Sequence, residues 1–130
     1  MIGHLVERNE LPDFPVGPLG SAARLLHGEP QGLAGVSLML ATLQPGEGPA
    51  LHRHPYDEVF VLGDGEATFT IDGELHRATQ DQVVIVLAGV PHAFTNSGNA
   101  PLAMTAIHVA PKIEIEWLES PWTPPGTGSE

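Results

Sequence analysis

The sequence predicts an all-β domain, a sandwich or barrel of eight or more short strands. Three observations carry this expectation. Short apolar and β-branched runs recur along the whole chain, with turn residues between them. Gly and Pro are both frequent, at 15 and 13 of 130 residues, which favours tight turns over long helices. No stretch holds a helical period beyond about two turns, so no element competes with the strands for the core.

In chain order, residues 2–9 (IGHLVERN) read as a first strand. Leu11 to Gly20 is rich in Pro and Gly and reads as an extended loop. Residues 21–27 fit a strand or a short helix equally well. Leu33 to Leu43 (LAGVSLMLATL) is a longer strand, apolar on both faces, so a second layer or another subunit must cover it. Gln44 to Pro49 is a loop by composition. Leu51–His54 is a short strand that Pro55 interrupts, and Asp57–Leu62 resumes it with Glu58, Phe60 and Leu62 on one face. Gly63-Asp64-Gly65 turns the chain. Glu66–Ile71 alternates, with Ala67, Phe69 and Ile71 on the buried side, and Asp72-Gly73 is a two-residue hairpin signal before Glu74–Ala78. Val83–Leu87, His92–Asn96 and Leu102–Ala110 are further strands. Lys112–Leu118 fits an edge strand or a short helix, and from Glu119 the chain has the composition of a floppy tail in which Trp122 could dock.

Within this frame Gly46 to Gly65 (GEGPALHRHPYDEVFVLGDG) concentrates the chemistry. His52 and His54 leave an extended strand on the same face, and Glu58 keeps that parity. Two imidazoles and a carboxylate are a mixed N/O set for a divalent metal, and His92 is a fourth candidate downstream. Glu58 lies on an apolar face with Phe60 and Leu62, where an unpaired carboxylate costs several kcal/mol. No Lys or Arg shares that face, and a divalent cation would remove the penalty. His108 shares a face with Met104 and Ala106. If that face lines the interior, His108 is a candidate catalytic base or a donor supporting a ligand. His4, His27 and His76 read as surface or edge residues. Arg53, between the two histidines, should point away and pair with a carboxylate. Phe60, Phe69 and Phe94 are core residues that could also wall a pocket.

Composition narrows the partners. There is no cysteine, so disulfides and thiolate sites are excluded and a metal must use N and O ligands. The net charge is −11 with only five Lys and Arg, which argues against nucleic acid and anionic membranes. No signal peptide and no membrane span are expected, so a soluble cytoplasmic protein is the expectation. No nucleophilic triad, phosphate loop or dinucleotide fingerprint is visible.

The spacing of Gly46, His52, His54, Glu58 and Gly65 resembles the first conserved motif of the cupins at every interval. Gly89, His92 and Asn96 resemble part of the second motif. Gln80 stands where that motif usually begins with glycine, although Asp81 follows as it often does, and Leu87 replaces its proline. The resemblance covers roughly residues 33–110. It implies a cupin-type double-stranded β-helix, a jelly-roll barrel, with one divalent transition metal per chain held by His52, His54, Glu58 and His92, and commonly a homodimer. On this reading residues 1–32 pack N-terminal strands and a loop on a barrel core at 33–110, and 111–130 form a partly flexible extension. The metal could be Fe, Mn, Ni, Zn, Co or Cu. Two functions follow. One is a small metalloenzyme acting on a small oxygenated organic molecule, by dioxygenase or isomerase-like enolisation chemistry. The alternative is a non-catalytic, metal-dependent module that binds or senses a small molecule. A purely structural barrel is the third.

Overall fold

The computed structural model describes residues 2–16 and 18–119. Among the described residues eleven strands form two antiparallel sheets. They are β1 (Asp13–Pro15), β2 (Ala22–Leu26), β3 (Ser37–Leu43), β4 (His52–Arg53), β5 (Glu58–Leu62), β6 (Glu66–Ile71), β7 (Glu74–Thr79), β8 (Val83–Val86), β9 (His92–Asn96), β10 (Leu102–His108) and β11 (Glu116–Trp117). One sheet has the order β1-β2-β3-β10-β5-β8 and the other β11-β4-β9-β6-β7. The result is the expected all-β jelly roll. Among the described residues no helix is long and apolar enough to cross a membrane.

Alternation along the strands explains the packing. On β5, Glu58, Phe60 and Leu62 point inward and are buried. On β6 the same holds for Ala67 and Phe69, and on β10 for Leu102, Met104, Ala106 and His108. The inner faces of both sheets meet in one core centred on Phe60, Phe69 and Phe94, whose ring centroids lie 5.0 to 5.3 Å apart. Two glycines are fixed by close approach. A Cβ on Gly48 would strike the backbone carbonyl of Phe94, and Gly65, at φ +111°, would set a Cβ 2.9 Å from the Cα of Leu102.

The ambiguous segment 21–27 is a strand, because Ala22–Leu26 pairs with β3 along its whole length. Lys112–Leu118 yields only the two-residue edge strand β11, held on β4. The strand expected at 2–9 does not form. Residues 2–7 carry no strand pairing and 8–10 make a single 3₁₀ turn. The apolar residues there, Ile2, Leu5 and Val6, do not fall on one face of a strand, and Ile2 and Leu5 remain exposed. The loop expected at 11–20 contains the short strand β1. Among the described residues it sits at a sheet edge and pairs only with β2, a setting that tolerates a proline. The tail and Trp122 fall in 120–130, outside the described residues.

Candidate metal centre

The site is assembled by two cross-strand pairs. On the five-stranded sheet His52 of β4 lies opposite His92 of β9. On the six-stranded sheet Glu58, the first residue of β5, lies opposite His108, the last residue of β10. His54 follows β4 directly, before the Pro55 turn. All five side chains point into the interior and are almost fully buried. One ligand atom from each of His52, His54, Glu58 and His92 lies within 4.8 Å of the others. These four are the residues expected from the sequence.

The backbone fixes how the three imidazoles present themselves. His52 Nδ1 donates to the carbonyl of Ala50 at 2.7 Å, His54 Nδ1 to that of Glu114 at 2.7 Å, and His92 Nδ1 to that of Val90 at 3.0 Å. A carbonyl can only accept, so each Nδ1 carries the hydrogen and each neutral ring offers a lone pair at Nε2. His54 Nε2 and His92 Nε2 each lie 3.1 Å from the same carboxylate oxygen, Glu58 Oε1. Lone pairs facing an anion at that distance repel unless a cation, either a proton or a metal ion, sits among them. His54 Nε2 is moreover buried with no hydrogen-bond partner. The donor chemistry therefore fits a divalent N/O-ligated ion, with outer hydrogen bonds of the kind that orient metal-binding histidines.

Charge and burial act in opposite directions across the cluster. Burial and the neighbouring His92 lower the pKa of His52 to about 4. Burial works the same way on His54, but Glu58 and the Glu114 carbonyl outweigh it, so His54 is raised and is the ring more readily protonated. Burial alone would raise Glu58. The contacts from His108, His54 and His92 outweigh it and hold the carboxyl well below its ordinary range. Glu58 is an anion that needs a cation beside it.

His108 differs from the other three. Its Nδ1 faces the Tyr56 hydroxyl at 2.8 Å, and that hydroxyl accepts the backbone N–H of Glu114 at 3.0 Å. The Glu114 carbonyl is 3.2 Å from the hydroxyl and already accepts from His54. The carbonyl has a second lone pair, so Tyr56 donates its one hydroxyl hydrogen there and presents its oxygen to His108 Nδ1. His108 Nε2 lies 3.1 Å from Glu58 Oε2. The contact is off the hydrogen-bond direction, so it acts as an electrostatic contact on the carboxylate. His108 faces Glu58 Oε2 and is not among the residues lining the adjoining cavity. Tyr56 was not singled out from the sequence. Its signal was parity, since residues 52, 54, 56 and 58 alternate onto one side.

The cluster opens onto a cavity of about 30 Å³, space for little more than a water molecule. Phe14 and Val16 wall it from the N-terminal side, and Ile115 and Trp117 from the C-terminal side. The Trp117 ring lies 5.1 Å from that of His52. Sequence reasoning missed both walls, because neither belongs to the ligand-bearing strands. Arg53 turns outward, donating Nε and Nη2 to Glu116 at 2.9 and 3.0 Å. His4 and His76 are exposed, and His27 accepts the backbone N–H of Ile113 away from the site.

The family model for the cupin domain matches residues 39–108, more than half of the chain. The chain belongs to the cupin family. This cupin is 34% identical over 73 residues to the polyketide synthase CurC of Streptomyces cyaneus, a match covering 55% of this chain and 47% of that one. The chain thus spans less than half the length of that curated relative. Among solved structures it resembles the polyketide cyclase RemF of Streptomyces resistomycificus, with a TM-score of 0.71 at 14% identity, covering 92% of this cupin and 89% of that protein. It also resembles the Bacillus subtilis oxalate decarboxylase studied for its Mn(II) centres, with a TM-score of 0.71 at 22% identity over 80% of this chain and 29% of that one. At these identities the two structures support the fold alone.

Proposed function

We propose that this cupin is a metalloenzyme that binds one divalent transition metal per chain and acts on a small oxygenated organic molecule, by oxygenation or by enolisation. One observation carries the reading. Three imidazoles locked with Nδ1–H outward present Nε2 lone pairs around a buried carboxylate. Nε2 of His52, His54 and His92 and Oε1 of Glu58 would hold the ion. When bound, the metal supplies a Lewis acid that polarises a carbonyl or stabilises an enolate, or a site for dioxygen if it is iron. The chain does the rest. His108, backed by Tyr56, holds Glu58 Oε2 so that Oε1 stays turned towards the histidines. The apolar wall keeps bulk water from the reacting group. The resemblance to oxalate decarboxylase makes manganese a natural first metal to test.

One observation favours the second reading, a module that binds a small molecule without turnover. His108, the candidate base, faces Glu58 and Tyr56 and not the cavity. Elemental analysis of protein purified without chelators, followed by oxygen-uptake and isomerase assays, separates the readings. Stoichiometric metal with turnover supports the enzyme, and stoichiometric metal with ligand binding alone supports the module. If His52→Ala leaves metal stoichiometry unchanged, the ligand assignment is wrong.

A homodimer is part of the same proposal. On the outer face of the six-stranded sheet, Leu38, Ile107, Val59 and Ile85 stand side by side in register, and the next row has Leu40 and Val61 on either side of Thr105. Val61 and Ile85 are 42% and 61% exposed. An apolar sheet face of this kind fits a second copy of the chain. Light scattering that finds only a 13.8 kDa species would sink the dimer.

A further inference from the structure

The wall of the cavity bears on which ligand the centre takes. Among the described residues it is apolar apart from His52, His54 and Glu58, with Phe14, Met39, Phe60, Phe94, Ile115 and Trp117 among its larger members. No Lys or Arg lines it. All five basic residues are engaged or directed elsewhere. Arg53 pairs with Glu116, Arg77 with Glu66, and Arg24 donates to the Leu11 carbonyl, while Arg8 and Lys112 are exposed. A divalent ion beside the Glu58 carboxylate carries one net positive charge. A monoanion neutralises it. A dianion leaves an uncompensated negative charge against an apolar wall, with no cation to pair it.

We propose that the ligand of this centre is an oxygen-donor molecule with an apolar body, aryl or alkyl, and at most one negative charge, and not a small dicarboxylate. The inference rests on the metal-centre reading above. The apolar body lies where the cavity is capped. β1 and β11 bring Phe14 and Trp117 over the cluster, and among the described residues each cap is a short edge strand paired on one side only. These caps are the elements that yield when a molecule larger than water enters.

The test is isothermal titration calorimetry of the Mn(II)- or Zn(II)-loaded protein at neutral pH, after metal stoichiometry has been measured. The probes are pyruvate, phenylpyruvate and malonate. They share a carboxylate but differ in an aryl body or a second charge. Phenylpyruvate should bind about tenfold or more tighter than pyruvate, because it buries a ring, and with a negative heat-capacity change. Malonate should bind weakest. Malonate binding as tightly as phenylpyruvate, or an aryl group that adds nothing, overturns the inference while leaving the metal centre intact. Wild-type protein that takes up no metal overturns the reading beneath it. Met39 projects from β3 into the wall, and Met39→Arg at wild-type metal stoichiometry should reverse the preference towards malonate. An unchanged order with that variant also counts against the wall as the selector.

Discussion

Glu58→Gln separates a metal centre from an ordinary buried ion pair, because the two predict opposite signs in the metal-free protein. The substitution removes one charge and keeps the shape. In metal-free protein the amide nitrogen, placed where Oε1 stands, would be 3.1 Å from both His54 Nε2 and His92 Nε2. It can donate a hydrogen to the His92 lone pair, and it removes the negative charge beside His54. The amide oxygen, placed where Oε2 stands, keeps His108 Nε2 at 3.1 Å. Only the contact to His92 Nε2 has hydrogen-bond direction, so one repulsive contact becomes a hydrogen bond worth about 0.5–1.5 kcal/mol net, and the metal-free variant should gain about that much. For a chain of this length that is a rise of roughly 2–6 °C in Tm. With metal the order reverses. At a metal concentration of about 100 Kd the wild type gains about 2.7 kcal/mol by mass action, and the variant, lacking the anionic ligand, gains little. The assay is thermal unfolding at pH 8.5, with chelator and then with Mn(II) or Zn(II). If the carboxylate instead balances a protonated imidazole, Glu58→Gln strands a buried cation and costs about 3–5 kcal/mol. A Tm that falls in chelator would refute the lone-pair argument.

Three further outcomes are expected. Tyr56→Phe removes the hydroxyl that holds His108 behind Glu58, so metal affinity should fall about 10- to 100-fold with little change in fold, as metal titration will show. Because the folded pKa of His52 is depressed from 6.5 to about 4, the unfolded chain takes up protons more readily across that window. The stability of metal-free protein should therefore be full above pH 6.5 and fall towards pH 4, by about 3 kcal/mol from His52. The raised pKa of His54 contributes with the opposite sign, and urea titrations at pH 8 and pH 5 measure the net. Glu47 is buried outside the metal cluster, where it accepts the backbone N–H of Leu19 at 2.9 Å and the Ser21 hydroxyl at 2.5 Å. Glu47→Ala should cost about 2–3 kcal/mol in urea unfolding without lowering metal stoichiometry, because it releases the N-terminal segment from the barrel.

The chain by itself determined which residues share a face. A pleated strand alternates with a period of two, so the spacing of His52, His54 and Glu58 set their common direction before any sheet was known. The turn residues divided the chain into strands for the same local reason, and His92 was legible through its own short motif. Local pattern failed where pairing decides. Residues 2–9 have strand-like composition but no single apolar face and no partner, whereas Asp13–Pro15, written as a loop, finds an edge. The tertiary structure alone decided what the rest of the site would be. Tyr56 meets His108 across 52 positions of sequence, the Glu114 carbonyl orients His54 across 60, and Trp117 reaches His52 through the register of β11 on β4. Such contacts depend on strand register and on how two sheets close over each other, and neither is encoded in the spacing of neighbouring residues. The common face of His52, His54 and Glu58 is therefore a property of local parity, while the meeting with His92, the ring tautomers, the residues behind Glu58 and the apolar cap are properties of the closed barrel.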